Sequence, residues 1–297
     1  MPKKIATKNL TVALVGAGNL ATSLAVALRE AGFKIAEIVA RNSPPSLRQA
    51  RALAARVGAR AVTADSAALD ASLFWLSVPD REISGAASTL ADRLAARAVA
   101  DKKNKIRFAF HSSGALPSRE LDPLRQRGVA VASVHPLMTF VAGSRPSLQD
   151  VPFAIEGDDA ATRAAHNIVR QLGGIGFRLP APRKAAYHAW ATLTSPLFLA
   201  FLVTLEEAAS ATGISRDDAR RKSLPIIRQT LANYYSLGPA QSFSGPLVRG
   251  DTETVAKHLA ALKRHPEARE VYLALARTAL RNLPVKNRNG LKKLLRD

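Results

Sequence analysis

Residues 11–24 read Thr-Val-Ala-Leu-Val-Gly-Ala-Gly-Asn-Leu-Ala-Thr-Ser-Leu, and they are the strongest indication of the fold class. Its first five residues are apolar and rich in β-formers, which is typical of a parallel strand buried on both faces. Two glycines follow, and Leu20, Leu24 and Leu28 then recur at helical spacing until Gly32. A strand, a glycine-rich turn and a helix in this order predict the first unit of an α/β fold.

The turn has the G-x-G-x-x-A pattern of a dinucleotide-binding loop. Gly16 allows the tight turn, Gly18 lets the backbone approach a pyrophosphate, and Ala21 is small enough for the helix to pack on the strand. The phosphates would lie at the amino end of the helix that begins with Asn19 and Leu20. We therefore expect these five residues to bind a dinucleotide, with a tight turn that holds no ligand as the alternative.

The end of the second predicted strand, Lys34–Ala40, indicates which dinucleotide. NAD sites place Asp or Glu there to hold the ribose 2′-hydroxyl, but this chain has Arg41-Asn-Ser43, and Glu37 lies earlier, within the strand. Arg41 and Ser43 suit a 2′-phosphate, because a guanidinium makes charge-assisted bonds to phosphate oxygens. The sequence thus predicts NADP, unless Arg41 is only a solvated loop residue.

The remaining pattern predicts a Rossmann-type, doubly wound parallel sheet followed by an all-α C-terminal domain. Apolar strands alternate with helices, which implies right-handed crossovers. The further strands are predicted at Ser72–Ser77, Ile106–Phe110, Val129–Val134, Phe153–Glu156 and Gly176–Leu179. After the Pro180–Pro182 linker only helical periodicity remains, in Ala185–Ala211, Arg216–Leu237, Thr252–Arg264 and Glu267–Leu283. We place an NADP-binding domain at 1–181 and a helical domain at 182–297.

Candidate catalytic residues stand where predicted strands end and where the linker leads into a helix. His135 ends a strand and His188 lies in the first helix after the linker, and an imidazole titrates near neutral pH. Ser112, Ser113 and Gly114 follow another strand, where small residues let the nicotinamide or the substrate come close. We expect Ser112 to contact the cofactor and Ser113 to take part in catalysis or, with Gly114, in substrate binding. Structural histidines and a serine-rich turn that caps a helix at Ser118–Gln126 are the alternatives.

Other groups are less informative. Arg249 and Asp251 lie in a glycine-rich interruption between helices. Both could reach the cleft and bind the substrate, with Arg249 holding its carboxylate, or the segment could be a plain turn. The six histidines show no metal-ligand spacing, and cysteine is absent, so no metal site is predicted.

The composition contains one unusual value, a net charge of +20 on 297 residues. Residues 1–150 carry 21 Lys and Arg against 11 Asp and Glu, and residues 151–297 carry 22 against 12, so the excess is spread over both halves. The densest run, 257–297, has 11 basic and 3 acidic residues. A solvated surface explains this best. Nucleic-acid binding stays a weaker alternative, because aromatic residues make up only 5% of the chain.

The apolar run Ala185–Val203 is interrupted by Thr, Ser and Pro, which predicts a buried helix and no membrane span. The amino terminus has no hydrophobic signal core before the first strand. We expect a cytoplasmic protein.

Several strings together resemble a bacterial family of Rossmann-like proteins with a helical C-terminal domain of unknown function. The strings that carry the resemblance are Gly16-Ala-Gly-Asn-Leu, Ala40-Arg-Asn, Ser77-Val-Pro-Asp80, His111-Ser-Ser-Gly114, Ser133-Val-His-Pro136, Tyr187-His188 and Gly245-Pro-Leu-Val-Arg-Gly-Asp251. The family is similar to pyrroline-5-carboxylate reductases, deazaflavin-dependent NADP reductases and 6-phosphogluconate dehydrogenase-like proteins. The resemblance implies a cofactor contact at Val78 and Pro79, a homodimer through the helical domain, and an active site in the cleft between the domains.

The helix of Tyr187-His188 departs from the family at one position. Relatives often carry an Asn about two turns later, where this chain has Thr194-Ser195-Pro196, so Ser195 would have to take over any substrate contact. Related β-hydroxyacid dehydrogenases use a Lys on the corresponding helix, which makes Lys184 a further candidate. We predict an NADP-dependent oxidoreductase that acts on a small carbonyl or imine acid. The alternatives are a non-catalytic NADP-binding sensor or scaffold and a nucleic-acid-associated protein.

Overall fold

The computed structural model describes residues 10–100 and 107–296. The chain divides into two compact units, of which the first ends at Thr192 and the second begins at Leu193. The first unit contains the whole described sheet, and the second contains helices. The division falls inside a helix, beyond the Pro180–Pro182 linker.

An eight-stranded sheet with the order β3-β2-β1-β4-β5-β6-β7-β8 forms the centre of the first unit. The strands are β1 Thr11–Val15, β2 Lys34–Ala40, β3 Arg60–Thr63, β4 Leu73–Leu76, β5 Phe108–His111, β6 Ala130–Pro136, β7 Pro152–Gly157 and β8 Ile175–Arg178. The predicted strand at Ile106 begins outside the described residues. All neighbouring pairs are parallel except β6 and β7.

The predicted fold class is confirmed, with one correction for the last two strands. β7 and β8 run opposite to the other six, because residues 137–151 contain no helix that could carry the chain back across the sheet. The chain instead turns and lays β7 antiparallel to β6.

Helices cover both faces of the sheet. They are α1 Asn19–Glu30, α2 Pro44–Val57, α3 Asp80–Ala100, α4 Asp122–Arg125, α5 Asp159–Gln171 and α6 Lys184–Thr194. A 3₁₀ turn and the single turn of α4 stand where one helix was predicted over Ser118–Gln126. Successive residues of β4 show the two faces: Trp75 packs in the core under α1, α2 and α5, whereas Phe74 and Leu76 pack in the core under α3 and α4.

The second unit is a helical bundle with its own apolar core. Its helices are α7 Pro196–Ser210, α8 Arg216–Leu237, α9 Pro239–Ser242, α10 Pro246–Arg249, α11 Thr252–Ala261, α12 Pro266–Asn282 and α13 Arg288–Leu294. Val255, Leu273 and Leu291 are buried together in this core. The single helix predicted over Ala185–Ala211 is two helices, α6 and α7, because Pro196 has no N–H to continue the ladder and starts a new helix.

Most of the apolar run in α6 and α7 is not buried, contrary to the sequence-based expectation, although Tyr187 is. Among the described residues, the helical stretch Ala181–Ser210 is long and apolar enough to cross a membrane by length and composition, and none of its most apolar part is buried. Leu193 and Leu199 are each 63% exposed. The prediction failed because periodicity shows that a face is apolar but not what covers it.

Candidate active site and cofactor cavity

The glycine loop after β1 has the backbone geometry of a tight turn against β4. Gly16 has a φ of +107°, and a Cβ at this position would lie 2.5 Å from the carbonyl oxygen of Ser77. Only glycine fits there. A Cβ at Gly18, in contrast, would meet no atom within 4 Å. The space in front of Gly18 is therefore open to a ligand.

The amino end of α1 begins directly after this loop. Its N-cap residue, Gly18, provides no side-chain cap, and the first turn contains no acidic residue. The first N–H groups of the helix thus keep their hydrogen-bonding capacity and their partial positive charge, which suits a phosphate.

A cavity of about 550 Å³ opens at this edge of the sheet. Its lining comes from the carboxyl ends of β1, β2 and β4 and from α2 and α3: Val15, Gly16, Ala17, Gly18, Val39, Ala40, Arg41, Ser46, Gln49, Ala64, Ser77, Val78, Pro79, Glu82, Gly85, Ala86, Thr89 and Leu90. The Ser77 hydroxyl is buried and has no hydrogen-bond partner in the described part of the chain. Such an orphan polar group in a cavity wall fits a polar ligand.

Glu37 within β2 and Arg41 directly after it have different partners. Glu37 is 2% exposed and is occupied by Arg60, at 2.7 Å, and by the backbone N–H of Ala68. It is therefore not available to a ribose. Arg41 keeps 69% of its side chain exposed and pairs with Glu82 at 3.2 Å. A phosphate that enters the cavity would compete with Glu82 for this guanidinium.

The cavity lining contains five of the ten predicted cofactor residues: Gly16, Gly18, Arg41, Val78 and Pro79. The other five, Asn19, Leu20, Ala21, Ser43 and Ser112, are placed elsewhere. Ala21 is fully buried in the core under α1, and the Asn19 amide donates to the Phe140 carbonyl. Ser43 bonds Ser46, which does line the cavity.

The segment after β5 turns its side chains inward to hold the backbone. The Ser112 hydroxyl accepts the indole N–H of Trp75 at 2.8 Å. The Ser113 hydroxyl donates to Asp80 at 2.8 Å and accepts the N–H groups of Ala115 and Leu116. All hydrogen-bonding positions of this hydroxyl are thereby used, which argues against its predicted catalytic role.

His111 at the end of β5 is a structural histidine. Its side chain is fully buried, its Nδ1 accepts the N–H of Ser113, and its Nε2 lies 3.1 Å from the carbonyl oxygen of Pro117. Burial, with a smaller contribution from the Lys184 charge, lowers the pKa of His111 to about 3. The ring is neutral at physiological pH and bonds the turn on both sides.

Lys184 joins α6 to the ends of β5 and β6. The residue is 1% exposed, and its ammonium donates to the carbonyl oxygen of Ser113 at 2.8 Å and to the hydroxyl of Ser133. Burial lowers the pKa of Lys184 to about 8, although the carboxylates of Glu156 and Asp80 oppose the shift. An ammonium with a pKa near neutral can give up a proton to a reacting group.

Two further histidines lie beside Lys184. His135 Nδ1 is 2.8 Å from the Tyr187 hydroxyl, and the rings of His135 and His188 are 6.2 Å apart. A Cβ on Gly114 would lie 2.6 Å from His188 and 2.8 Å from His135 Nε2, so only glycine allows both imidazoles to approach the turn. The predicted residues His135, His188 and Gly114 are thus brought together.

The ionisation of this group follows from its burial. Burial first, then the charges of Lys184 and His188, lower the pKa of His135 to about 4. Burial raises the pKa of Tyr187 to about 12. Both groups are neutral near pH 7. When Nδ1 of His135 accepts the Tyr187 hydroxyl proton, Nε2 carries the hydrogen and offers it beside Gly114.

Four residues of this site had no assigned role in the sequence interpretation or only a marginal one: Asp80, Ser133, Lys184 and Tyr187. The spacing of Lys184, Tyr187 and His188 was a usable signal, because residues three and four apart share one helix face. Ser133 and Asp80 carry no such signal, since their roles depend on partners far along the chain.

The three predicted substrate residues of the second unit have local roles in that unit. Ser195 lies between α6 and α7, and its carbonyl accepts the N–H of Leu199. Asp251 caps α11 by accepting the N–H of Thr254 at 2.9 Å, and Arg249 is exposed at the end of α10. Substrate binding by these three residues stays a prediction. Among the described residues, no group of three His, Asp or Glu could hold a metal ion.

The fold and the glycine loop define the first unit as a Rossmann-like domain, and residues 2–136 match the family model of that description. Residues 151–279 match the model of a domain of unknown function, DUF2520. The chain thus combines a Rossmann-like domain with a DUF2520 domain. No curated protein sequence matches the chain.

Solved structures share this fold over nearly the whole chain. A Bacteroides fragilis protein with the provisional description NADP oxidoreductase is 23% identical, with a TM-score of 0.72 over 92% of this chain and 98% of its own. A pyrroline-5-carboxylate reductase of Coxiella burnetii is 16% identical, with a TM-score of 0.57 over 96% and 98%. A reductive aminase of Aspergillus terreus, solved with NADPH and ethyl-5-oxohexanoate, is 14% identical, with a TM-score of 0.60 over 96% and 99%. At these identities the likeness concerns the fold.

Proposed function

We propose that this protein is an NADP-dependent oxidoreductase that reduces the C=O or C=N bond of a small carbonyl or imine acid. One observation carries the proposal: the cavity at the glycine loop and the Lys184–His135 group lie on the same edge of the sheet. β1, β4, β5 and β6 are consecutive and parallel, so their carboxyl ends lie side by side. Open α/β sheets bind their ligands at this edge.

The residues of the cavity fit a dinucleotide phosphate. Gly16 and Gly18 leave room for a pyrophosphate at the uncapped end of α1. The unpartnered Ser77 hydroxyl supplies one more polar contact. Arg41 would hold the 2′-phosphate of NADP, while Glu37 is occupied by Arg60. The NADPH complex of the Aspergillus terreus reductive aminase, which shares the fold, supports this assignment.

The residues at the ends of β5 and β6 provide the proton chemistry. NADPH, when bound, supplies a hydride, so the oxygen or nitrogen of the reduced double bond must take up one proton. Lys184 uses two of its three N–H groups on Ser113 and Ser133, and in the described part of the chain the third has no partner. We assign proton donation to Lys184. His135 and His188, predicted as the acid from sequence, become groups that orient the substrate through hydrogen bonds.

We further propose that the substrate is a small acid. The N–H groups of Lys184 and His188 favour an anionic substrate, because a carboxylate binds to N–H donors in a partly buried site. The Coxiella pyrroline-5-carboxylate reductase acts by its description on an imine acid and shares the fold. We also propose that the chain belongs to the 6-phosphogluconate dehydrogenase-like proteins.

Tryptophan fluorescence with NADPH and with NADH tests the cofactor, because Trp75 lies in β4 at this edge of the sheet. Loss of NADPH absorbance with a panel of keto acids and cyclic imine acids then tests the reaction. The proposal predicts tighter binding of NADPH than of NADH and turnover of at least one acid. Equal affinities for NADPH and NADH would show that Arg41 does not bind the 2′-phosphate.

A non-catalytic NADP-binding sensor is the second candidate, because the Ser113 hydroxyl is fully used to hold its own turn. Such a sensor would bind NADPH tightly but would not turn over any acid in the panel.

The proposed assembly is a cytoplasmic homodimer formed through the helical domain. Apolar side chains on α7 and α8 that are more than 40% exposed support a second copy as their cover: Leu197, Leu199, Val203, Leu224, Ile226, Leu231, Tyr234, Tyr235 and Leu237. Sedimentation velocity tests this. A Leu199→Lys variant should yield monomers, whereas binding of the wild type to lipid vesicles would favour a membrane as the cover.

A further inference from the structure

We propose that Glu156 is a positioning residue for the proton transfer, because its buried carboxylate keeps the neighbouring Lys184 ammonium charged. This inference rests on the proposed function, in which Lys184 donates the proton. The hydrogen bonds of Lys184 go to neutral oxygens, the carbonyl of Ser113 and the hydroxyl of Ser133. Because burial disfavours the charged form of an amine, a buried ammonium needs a negative charge nearby to stay protonated.

The pairing of β6 with β7 brings Glu156 close to this lysine. Glu156 lies directly opposite Ser133 in the antiparallel ladder. Side chains at directly opposite positions project from the same face of a sheet and are close neighbours. Since the Ser133 hydroxyl accepts a hydrogen bond from Lys184, the carboxylate and the ammonium lie on the same face, beside the same serine.

The carboxylate of Glu156 is held in a fixed position. The residue is 8% exposed, and its two oxygens accept the backbone N–H of Ser118 and, at 3.0 Å, the Ser118 hydroxyl. Ser118 is buried as well and begins the 3₁₀ turn that follows β5. These two donors satisfy the carboxylate, as a buried charge requires. The negative charge therefore stays in the interior, close to Lys184.

Glu156 differs from the other titratable groups near Lys184 in being both buried and negative. Burial lowers the pKa of His111 to about 3 and of His135 to about 4, so both rings are neutral near pH 7. Asp80 is a carboxylate but is exposed, and water screens its charge. Glu156 thus opposes most strongly the burial that lowers the pKa of Lys184 to about 8. The groups that face the ammonium from the surrounding elements are Asp80 on α3, His111 on β5, His135 on β6, Glu156 on β7, and Tyr187 and His188 on α6.

Glu156→Gln separates the charge of this residue from its hydrogen bonds. Glutamine has nearly the same shape, its oxygen can still accept the N–H of Ser118, and its amide can donate to the Ser118 hydroxyl. If Glu156 only held the 3₁₀ turn, this variant would leave Lys184 unchanged. Asp159→Asn is the matched control, because Asp159 is exposed, lies three residues further along the chain and gives the same change in net charge.

An NMR titration of the full-length protein with isotope-labelled lysine side chains measures the pKa of Lys184 without NADPH or substrate. The Lys184 resonance is identified by its absence in Lys184→Met. We expect a wild-type pKa of Lys184 of about 8. The pKa should be lower by at least about one pH unit in Glu156→Gln and unchanged in Asp159→Asn. In the reductase assay, the alkaline decrease of kcat/KM in Glu156→Gln should move to lower pH by the same amount.

The titration distinguishes failure of this inference from failure of the proposed function. If Glu156→Gln lowers the pKa of Lys184 but the wild type reduces no acid, the pairing of Glu156 with Lys184 stands and the reductase function fails. An unchanged pKa of Lys184 in Glu156→Gln, or an equal decrease in Asp159→Asn, overturns the inference even if the wild type reduces an acid.

The wild type alone provides a second test, which applies even if Glu156→Gln does not fold. Buried lysines whose charge is not compensated titrate at about pH 5–6. A pKa of Lys184 in that range would overturn the inference, whereas a value near 8 supports it.

Discussion

The glycine-loop cavity and the Lys184 group lie on one sheet edge but are built in different ways. The cavity is shaped mainly by backbone, by the φ of +107° at Gly16 and by the uncapped end of α1, and it leaves the Ser77 hydroxyl unpartnered. The Lys184 group consists of side chains from β6 and α6 that bond one another and the turn after β5. The first region is prepared for a large ligand, whereas in the second most polar groups already bond one another, and one N–H of Lys184 and Nε2 of His135 stay available.

This difference suggests that the two regions have different functions. An open cavity with free N–H groups binds a cofactor, and a buried, mutually bonded group holds unusual protonation states. Variants can therefore change cofactor binding without changing proton transfer, or the reverse. Each variant below alters either the glycine-loop cavity or the Lys184 group and leaves the other region unchanged.

The largest effect is expected for Gly16→Ala. A Cβ at this position meets the backbone of Ser77 at 2.5 Å and also imposes a strained φ, at a cost of about 1–3 kcal/mol. NADPH binding should be lost and the melting temperature should fall, as measured by fluorescence titration and calorimetry. Gly18→Ala is the matched control, since no atom lies near its Cβ. It should retain stability but weaken NADPH binding, and unchanged binding would mean that no ligand occupies this space.

The next largest effect is expected for Lys184→Met, which removes the proposed proton donor. Turnover should fall by about 10²–10⁴-fold, the usual contribution of a general acid, while the dissociation constant of NADPH stays unchanged. In the wild type, kcat/KM should fall as the pH rises through about 8, because only the protonated amine can donate. A variant that keeps wild-type turnover and the same pH profile would exclude Lys184 as the donor.

Acid should destabilise the protein through the histidines at the ends of β5 and β6. The folded-state pKa values of His135 and His111 are lowered to about 4 and about 3, so the unfolded chain binds more protons in acid. The contribution of the two histidines to the free energy of unfolding is therefore complete above about pH 6.5. At lower pH the free energy of unfolding decreases by up to about 1.4 kcal/mol per pH unit for each histidine. Urea denaturation at several pH values measures this slope. His135→Gln should reduce it, and an unchanged slope in this variant would contradict the assignment.

The smallest effect concerns the choice of cofactor. Arg41→Ala should weaken NADPH binding by about tenfold and leave NADH binding unchanged, because the exposed guanidinium contributes about 1.4 kcal/mol to phosphate binding. Glu82→Gln should tighten NADPH binding, since it frees Arg41 from its ion pair. Parallel losses of both nucleotides in Arg41→Ala would show that the residue does not recognise the 2′-phosphate.

The same comparison explains what could be predicted from the sequence. The glycine loop, its helix and most of the strands follow from local rules, because turn geometry and hydrophobic spacing are properties of neighbouring residues. The reversed direction of β7 could not be predicted from its own composition, since it depends on a connection that lacks a helix. The helix break at Ser195 was readable from Pro196 and was missed.

The Lys184 group was predicted only in part, because its contacts join residues that are far apart in the sequence. His135, His188 and Gly114 stand at readable positions, after a strand or in the helix that follows the linker. Lys184 became central only when α6 brought it to Ser113 and Ser133, which are 71 and 51 residues away in sequence. Ser112 and Ser113 looked like ligand contacts because small polar residues at a strand end fit that role equally well. In the structure their hydroxyls bond the protein itself.

The most direct test of the central claim compares the wild type with Lys184→Met in two assays on the same samples, NADPH binding by fluorescence and NADPH consumption with the acid panel. The claim that one sheet edge holds both a cofactor cavity and its proton donor predicts equal binding of NADPH by the two proteins, with turnover confined to the wild type. Wild-type protein that binds NADPH but consumes none with any acid, or a Lys184→Met variant that turns over as fast as the wild type, would contradict it.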